Sequence, residues 1–350
     1  MKKIKIAQIG IGHDHAADVF EELQHASDVF DVVGYAEVPE DDFPDAWAQA
    51  RLKSARPIYR NAKKYTAEEI LAMPDLDAVA IETYDLNLVK YAQMAADRGL
   101  HIHMDKAPGE VAEAFEKLLA TVKRKQLAFS IGYMYRYNPL IKEAFESAKN
   151  DDLGEIYSVD AEMSCFYDKD KRDWLRFFQG GMMQYLGCHL VDLVVRLLGV
   201  PDEIVPMNCT THYHGTTAKD FAFCCFKYKN GVSTVKSVMC DHSGFVRRHF
   251  LINGEKGTLD VRPLEMPDPK GLHTMSARKT LYLSPNWTDF GTVTDSDAFP
   301  RYEDMLRAFA AIIRGERGYE VELETEARIH RCLLAASGIS CDYKEIISLE

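Results

Sequence analysis

The chain has no apolar run approaching the ~20 residues that span a bilayer. It has no Cys-x-x-Cys pair among its eight cysteines, no internal repeat and no low-complexity linker. It is short of positive charge, with 42 Lys and Arg against 54 Asp and Glu, a formal net charge of −12. The missing apolar run excludes a transmembrane helix and, with the acidic balance, argues against a membrane surface or nucleic acid as partner. The cysteines, at 165, 188, 209, 224, 225, 240, 332 and 341, are scattered. Such spacing reads as reduced intracellular thiol rather than a disulfide framework or zinc site, so the expected location is cytoplasmic. The start, Met1-Lys2-Lys3-Ile4-Lys5, is basic but lacks the apolar core and small-residue cleavage site of a secretory signal.

What is present begins with strand-like residues, Lys5 to Ile9, that run into the turn Gly10-Ile11-Gly12 and then a helix. That order suits a pyrophosphate. The first glycine permits a tight turn, and the second lets the backbone approach the phosphates at the helix N-terminus. Glu37 closes the next strand, 25 residues after Gly12, where a carboxylate can take the hydroxyls of an adenosine ribose. The third glycine of the usual fingerprint is missing, because position 15 is His15, and Asp14 adds a negative charge beside the turn.

A chain of 350 residues exceeds one compact core and predicts two domains. Residues 1–130 alternate strand and helix, as in a doubly wound parallel sheet of Rossmann type. Thr66 with Glu69 forms a capping box, and Leu76 to Tyr84 reads as a strand buried on both faces. Residues 131–350 change pattern: a helix from Pro139 to Lys149, a long apolar helix from Leu186 to Leu198, several strands and two closing helices. Lys229-Asn230-Gly231 and Gly254-Glu255-Lys256-Gly257 mark hairpins. This second domain is expected to be α+β with an open, largely antiparallel sheet, and its alternating strands predict a homodimer or homotetramer.

Ligands of doubly wound sheets bind beyond the carboxyl ends of the strands. Gly10, Glu37, Thr83, Tyr84 and Lys106 fall there, Lys106 between Asp105 and Ala107-Pro108. In the second domain Tyr185 and His189 are spaced i, i+4, so a regular helix would put phenol and imidazole on one face as an acid/base pair. Tyr167 to Arg176, with Trp174, suits a lid or substrate wall. His13-Asp14-His15, His101-x-His103 and His212-x-His214 come with no carboxylate set nearby in sequence, so no metal is expected.

Taken together these residues resemble the Gfo/Idh/MocA oxidoreductases over nearly the whole chain. Ala78 to Thr83 and Gly99-Leu100-His101-Ile102 match the pattern before that family's Glu-Lys-Pro motif, here Asp105-Lys106-Ala107. Gly132-Tyr133 with Arg136-Tyr137-Asn138-Pro139, then Gly180-Gly181 through His189 and Asp192, and Gly254 to Leu259, follow in order. The resemblance implies a nicotinamide cofactor held by Gly10, Ile11, Gly12, His13, His15, Glu37, Thr83, Tyr84, Asp105 and Lys106. It implies a hydroxylated substrate between the domains, contacted by Tyr133, Arg136, Trp174, Arg176 and Asp192. Lys106 would hydrogen-bond the reacting hydroxyl and His189 would exchange its proton, while the family's catalytic aspartate falls on Tyr185. NAD is favoured over NADP because Glu37 would repel a 2′-phosphate. Two other functions share these residues: a lyase or glycoside hydrolase that oxidises its substrate transiently, and a non-catalytic dinucleotide-binding regulator.

Overall fold

A computed structural model describes residues 2–267 and 274–349. The chain divides into two compact units. One contains Met1–Tyr133, Tyr302–His330 and Glu345–Glu350; the other contains Met134–Arg301 and Arg331–Lys344. The first segment of that first unit ends at Tyr133, and the two C-terminal segments Tyr302–His330 and Glu345–Glu350 are grouped with it, whereas the sequence suggested one continuous second domain over 131–350.

Six parallel strands build the first unit: β1 (Ile4–Ile9), β2 (Phe30–Ala36), β3 (Lys64–Tyr65), β4 (Ala78–Ile81), β5 (His101–Met104) and β6 (Phe129–Ile131). Their order is β3-β2-β1-β4-β5-β6, the doubly wound Rossmann arrangement. All four residues of β4 are buried, as its unbroken apolar run requires of a strand covered on both faces. The helices are α1 (Ala16–His25), α2 (Ala46–Ala55), α3 (Ala67–Leu71), α4 (Leu88–Arg98) and α5 (Ala112–Lys125). Thr66 and Glu69 make the reciprocal cap at the start of α3. Asp45 accepts from Trp47 and Ala48 at the start of α2.

The second unit carries α6 (Pro139–Lys149), β7 (Ile156–Glu162), α7 (Lys169–Trp174), α8 (Cys188–Leu198), β8 (Glu203–Pro206), β9 (Phe221–Tyr228), β10 (Gly231–Val238), β11 (His249–Gly254) and β12 (Thr258–Val261). The short β13 (Met266–Pro267) and β14 (Thr274–Ser276) follow, then β15 (Arg278–Tyr282), β16 (Thr292–Asp295) and β17 (Phe299–Pro300). Eight strands form one sheet in the order β16-β15-β12-β11-β7-β10-β9-β8. Only β7 and β10 pair in parallel; the other neighbours are antiparallel. Gly231 pairs with Tyr228, so Lys229-Asn230 is the predicted two-residue turn. A single π-turn, Met183–Gly187, precedes α8, so the regular helix expected from Leu186 starts two residues later.

The closing helices α9 (Glu303–Ile313) and α10 (Leu323–Ala336) begin in the first unit, and α9 covers β5 and β6 there. Its Met305, Leu306 and Phe309 are at most 1% exposed. Each such side chain contributes about 1.5–3 kcal/mol when removed from water. Phe309 packs 5.9 Å from the His103 ring, and Arg307 reaches Asp28 beyond α1 with a two-pronged contact at 2.9 and 3.1 Å.

Candidate active site

The turn between β1 and α1 is built as its glycines predict. Gly10 has φ 91°, and a Cβ there would lie 2.5 Å from the backbone nitrogen of Thr83. A Cβ on Gly12 would run into the carboxylate of Asp41. Asp41 is the residue sequence reasoning passed over. It ends a short helical turn after β2, and its carboxylate accepts from the amides of Ile11 at 2.9 Å and Val38 at 3.0 Å. Burial pushes its carboxyl up to about 6, against the pull of those amides and Arg51. Arg51, on α2, grips the turn from its other polar edge and donates to the carbonyls of Ile11, Gly12 and His13. Nothing local marks Asp41 among four acidic residues between 40 and 45; only the fold buries it.

Glu37 stands at the end of β2 as expected and is 22% exposed at its side chain. Lys64 lies 2.9 Å from it and Arg56 3.2 Å. Thr83 and Tyr84 follow β4 and are buried, with Tyr84 stacked on Phe43 at 4.3 Å. Tyr133 closes this stretch of chain, also buried.

Lys106 follows β5 and is 1% exposed. Its amide donates to Asp105 Oδ1 at 2.6 Å, and its carbonyl is 2.8 Å from His13 Nε2. His13 Nδ1 lies 3.1 Å from Asp105 Oδ2, and His15 Nδ1 lies 3.2 Å from the same oxygen. Burial opposes charge on His13, yet the carboxylates of Asp105 and Asp85 outweigh it and raise the imidazole to about 10. Burial likewise works against Asp105, whose carboxyl is nonetheless held well below the usual range by His13 and His15. Glu82, fully buried beside them, is pushed well up by desolvation and then by Asp105. The carboxylate missing near the His13 and His15 pair in sequence comes from 90 residues away, and the three ligand atoms lie within 4.8 Å of one another.

In the second unit the side chains assigned to substrate are largely committed to each other. Arg136 Nη2 and Nε meet the Asp192 carboxylate at 2.6 and 3.0 Å, both residues being almost fully buried. Trp174 is buried, 4.8 Å from Phe178 and 5.3 Å from Tyr185. Arg176 lies over Phe177 and donates to the carbonyl of Asp173. The expected lid is instead the packed helix α7, whose Arg172 donates to Tyr213 O at 3.0 Å and lies 3.5 Å from Asp220.

His189, on α8, packs edge-on against Tyr135 with ring centroids 4.9 Å apart. The Tyr135 hydroxyl donates to Glu265, which also takes Arg248 at 3.0 Å and Arg301 at 2.9 Å. Burial would raise Glu265, but Arg301 and Arg248 outweigh it and lower its carboxyl. Tyr185 sits inside the π-turn, not on a regular helix, so its i, i+4 spacing to His189 does not place the two rings on one α-helical face. The Lys171 ammonium lies over its ring at 5.3 Å and over that of Tyr167 at 4.0 Å. Tyr135 and Glu265 carried no sequence signal; each is defined by partners distant along the chain.

Residues 141–260 match the family model of the GFO/IDH/MocA C-terminal domain. A D-xylose 1-dehydrogenase (NADP(+)) of Haloferax volcanii is 25% identical over 270 residues, 76% of this chain and 78% of that protein. Two solved structures share the fold. UDP-N-acetylglucosamine 3-dehydrogenase from Acidithiobacillus ferrooxidans has a TM-score of 0.69 at 16% identity, covering 97% of this chain and 98% of its own. A 3-ketoreductase from Actinomadura kijaniata, solved with TDP-benzene and NADP, has a TM-score of 0.72 at 16% identity, covering 95% and 96%. No described helix is long and apolar enough to cross a membrane. The glycine turn, the lysine after β5, the mixed second sheet and these likenesses agree: the chain is similar to the Gfo/Idh/MocA oxidoreductases, and its residues 141–260 carry that family's C-terminal domain.

Proposed function

We propose that the protein is an NAD-dependent dehydrogenase acting on a secondary hydroxyl of a sugar, cyclitol or derivative. The observation that carries this is Lys106, a nearly sealed lysine whose amide and carbonyl are both pinned at the carboxyl end of β5, beside the glycine turn. The dehydrogenase relative that acts on D-xylose supports a sugar substrate. The bare backbone of Gly10 and Gly12 fits a dinucleotide pyrophosphate, and Glu37 would take the adenosine ribose. His13, His15, Thr83, Tyr84 and Asp105 complete the cofactor wall. The nicotinamide supplies a hydride acceptor.

Lys106 donates a hydrogen bond to the reacting hydroxyl, and the imidazole of His189 takes its proton as the carbon loses hydride. Tyr185, a phenol where a carboxylate base would stand, acts as a hydrogen-bond donor to the substrate oxygen. Tyr133, Arg136, Trp174, Arg176 and Asp192 shape the substrate pocket, with Arg136 and Asp192 acting as a rigid pair. The half-exposed row of the second sheet, including Phe221, Phe223 and Val232, is the proposed face for a homodimer or homotetramer.

The test begins with thermal shifts on NAD and NADP, then a sugar panel headed by D-xylose with nicotinamide absorbance as readout. Lys106→Ala should keep cofactor binding and lose turnover. Net NADH formation excludes transient redox; an unaltered rate in Lys106→Ala refutes the proposal.

A further inference from the structure

We propose that His13 is a positioning residue for Lys106, tying the main chain of that lysine to the glycine turn. The bond's direction is fixed by chemistry. A carbonyl oxygen can only accept, so His13 Nε2 carries a proton and donates to Lys106 O at 2.8 Å. On its other side the ring faces Asp105, whose Oδ2 is 3.1 Å from Nδ1. Asp105 Oδ1 in turn takes the amide of Lys106 at 2.6 Å. One residue pair thus holds the lysine's carbonyl and amide together.

The anchor itself is held firmly. The His13 amide donates to Glu82 O at 2.9 Å, its carbonyl accepts from Arg51 at 2.6 Å, and its side chain is fully buried. A second carboxylate, Asp85, lies 3.5 Å from the same Nε2 and holds the ring in place beside Lys106. In a Gly-x-Gly-x-x-Gly turn this position is unspecified. Here it becomes the link through which any movement of the turn reaches the lysine.

The functional meaning rests on the dehydrogenase reading, but the test needs neither cofactor nor substrate. The rate at which acetic anhydride acetylates Lys106 is followed by peptide mass spectrometry at pH 8 in wild type, His13→Ala and His13→Gln. His13→Ala should label Lys106 roughly tenfold faster, a change that corresponds to about 1.4 kcal/mol. His13→Gln keeps an N–H donor of similar reach and should return the rate to within about threefold of wild type. Equal labelling of Lys106 in wild type and His13→Ala, both folded by circular dichroism, overturns the proposal. If His13→Ala does not fold, His13→Gln decides alone: wild-type labelling supports the link, and labelling as fast as that of exposed Lys2 overturns it. Elemental analysis is the last arm. No stoichiometric metal in purified wild type agrees with a hydrogen-bonded anchor, whereas one divalent ion lost on His13→Gln shows a metal centre and overturns it.

Discussion

Replacing Glu37 by serine should invert the preference between the two nicotinamide dinucleotides. A 2′-phosphate carries close to two negative charges and would sit near the Glu37 carboxylate. At about 5 Å, with an effective dielectric between 20 and 80, each unit of like charge costs roughly 0.8–3 kcal/mol. Lys64 and Arg56 oppose that repulsion, but their side chains are 55% and 50% exposed, so each returns only about 0.2–1 kcal/mol. Ribose hydroxyls bonded to the carboxylate favour NAD further, by about 1.5–3 kcal/mol for charge-assisted bonds. In Glu37→Ser both effects vanish and the two cations stay to receive the phosphate. NAD affinity should fall about tenfold and NADP affinity rise about tenfold, a hundredfold change in ratio at about 1.4 kcal/mol per decade. Titration calorimetry with NAD and NADP at 50 and 500 mM NaCl measures it, with the NADP gain shrinking at high salt as the Debye length contracts. A wild type that binds NADP more tightly than NAD, or a ratio that moves less than threefold in Glu37→Ser, refutes the assignment of Glu37.

Arg136→Met strands the buried Asp192 carboxylate and should cost about 3–5 kcal/mol, read by urea denaturation, with a second change to Asp192→Leu recovering most of it. Asp41 has a raised native pKa, so its protonated form favours the fold. Its contribution is complete below the unfolded value near 3.9 and is lost as pH rises through about 6. Asp41→Asn should therefore unfold at higher urea than wild type at pH 7.5 and lose that advantage at pH 4. Tyr185→Phe should lower kcat; wild-type turnover would remove the phenol from the chemistry.

Local pattern made much of the architecture legible. Glycines at 10 and 12, the Thr66 and Glu69 cap, Pro139 at a helix start and Asn230-Gly231 each act within a few residues, and each appears where its spacing predicts. The place of Lys106 at the carboxyl end of β5 was legible because it follows a strand-like run directly. What stayed hidden is long-range. Asp105 meets His13 from 92 residues away, Glu265 gathers Tyr135, Arg248 and Arg301, and Arg136 spends its charge on Asp192. Such pairings leave no periodicity, because either partner alone reads as an ordinary polar residue. The π-turn at Met183–Gly187 was invisible for the opposite reason: one inserted residue leaves the apolar pattern around it intact.

The return of Tyr302–His330 to the first unit has a consequence for biosynthesis. When the sixth strand leaves the ribosome, the sheet surface that α9 will cover is still bare, and about 170 residues must be made before that helix arrives. The nascent chain must tolerate that uncovered apolar surface while the intervening unit folds. A truncation after Tyr133 freezes the same condition permanently, so a soluble cofactor fragment has to carry α9 grafted back onto its end.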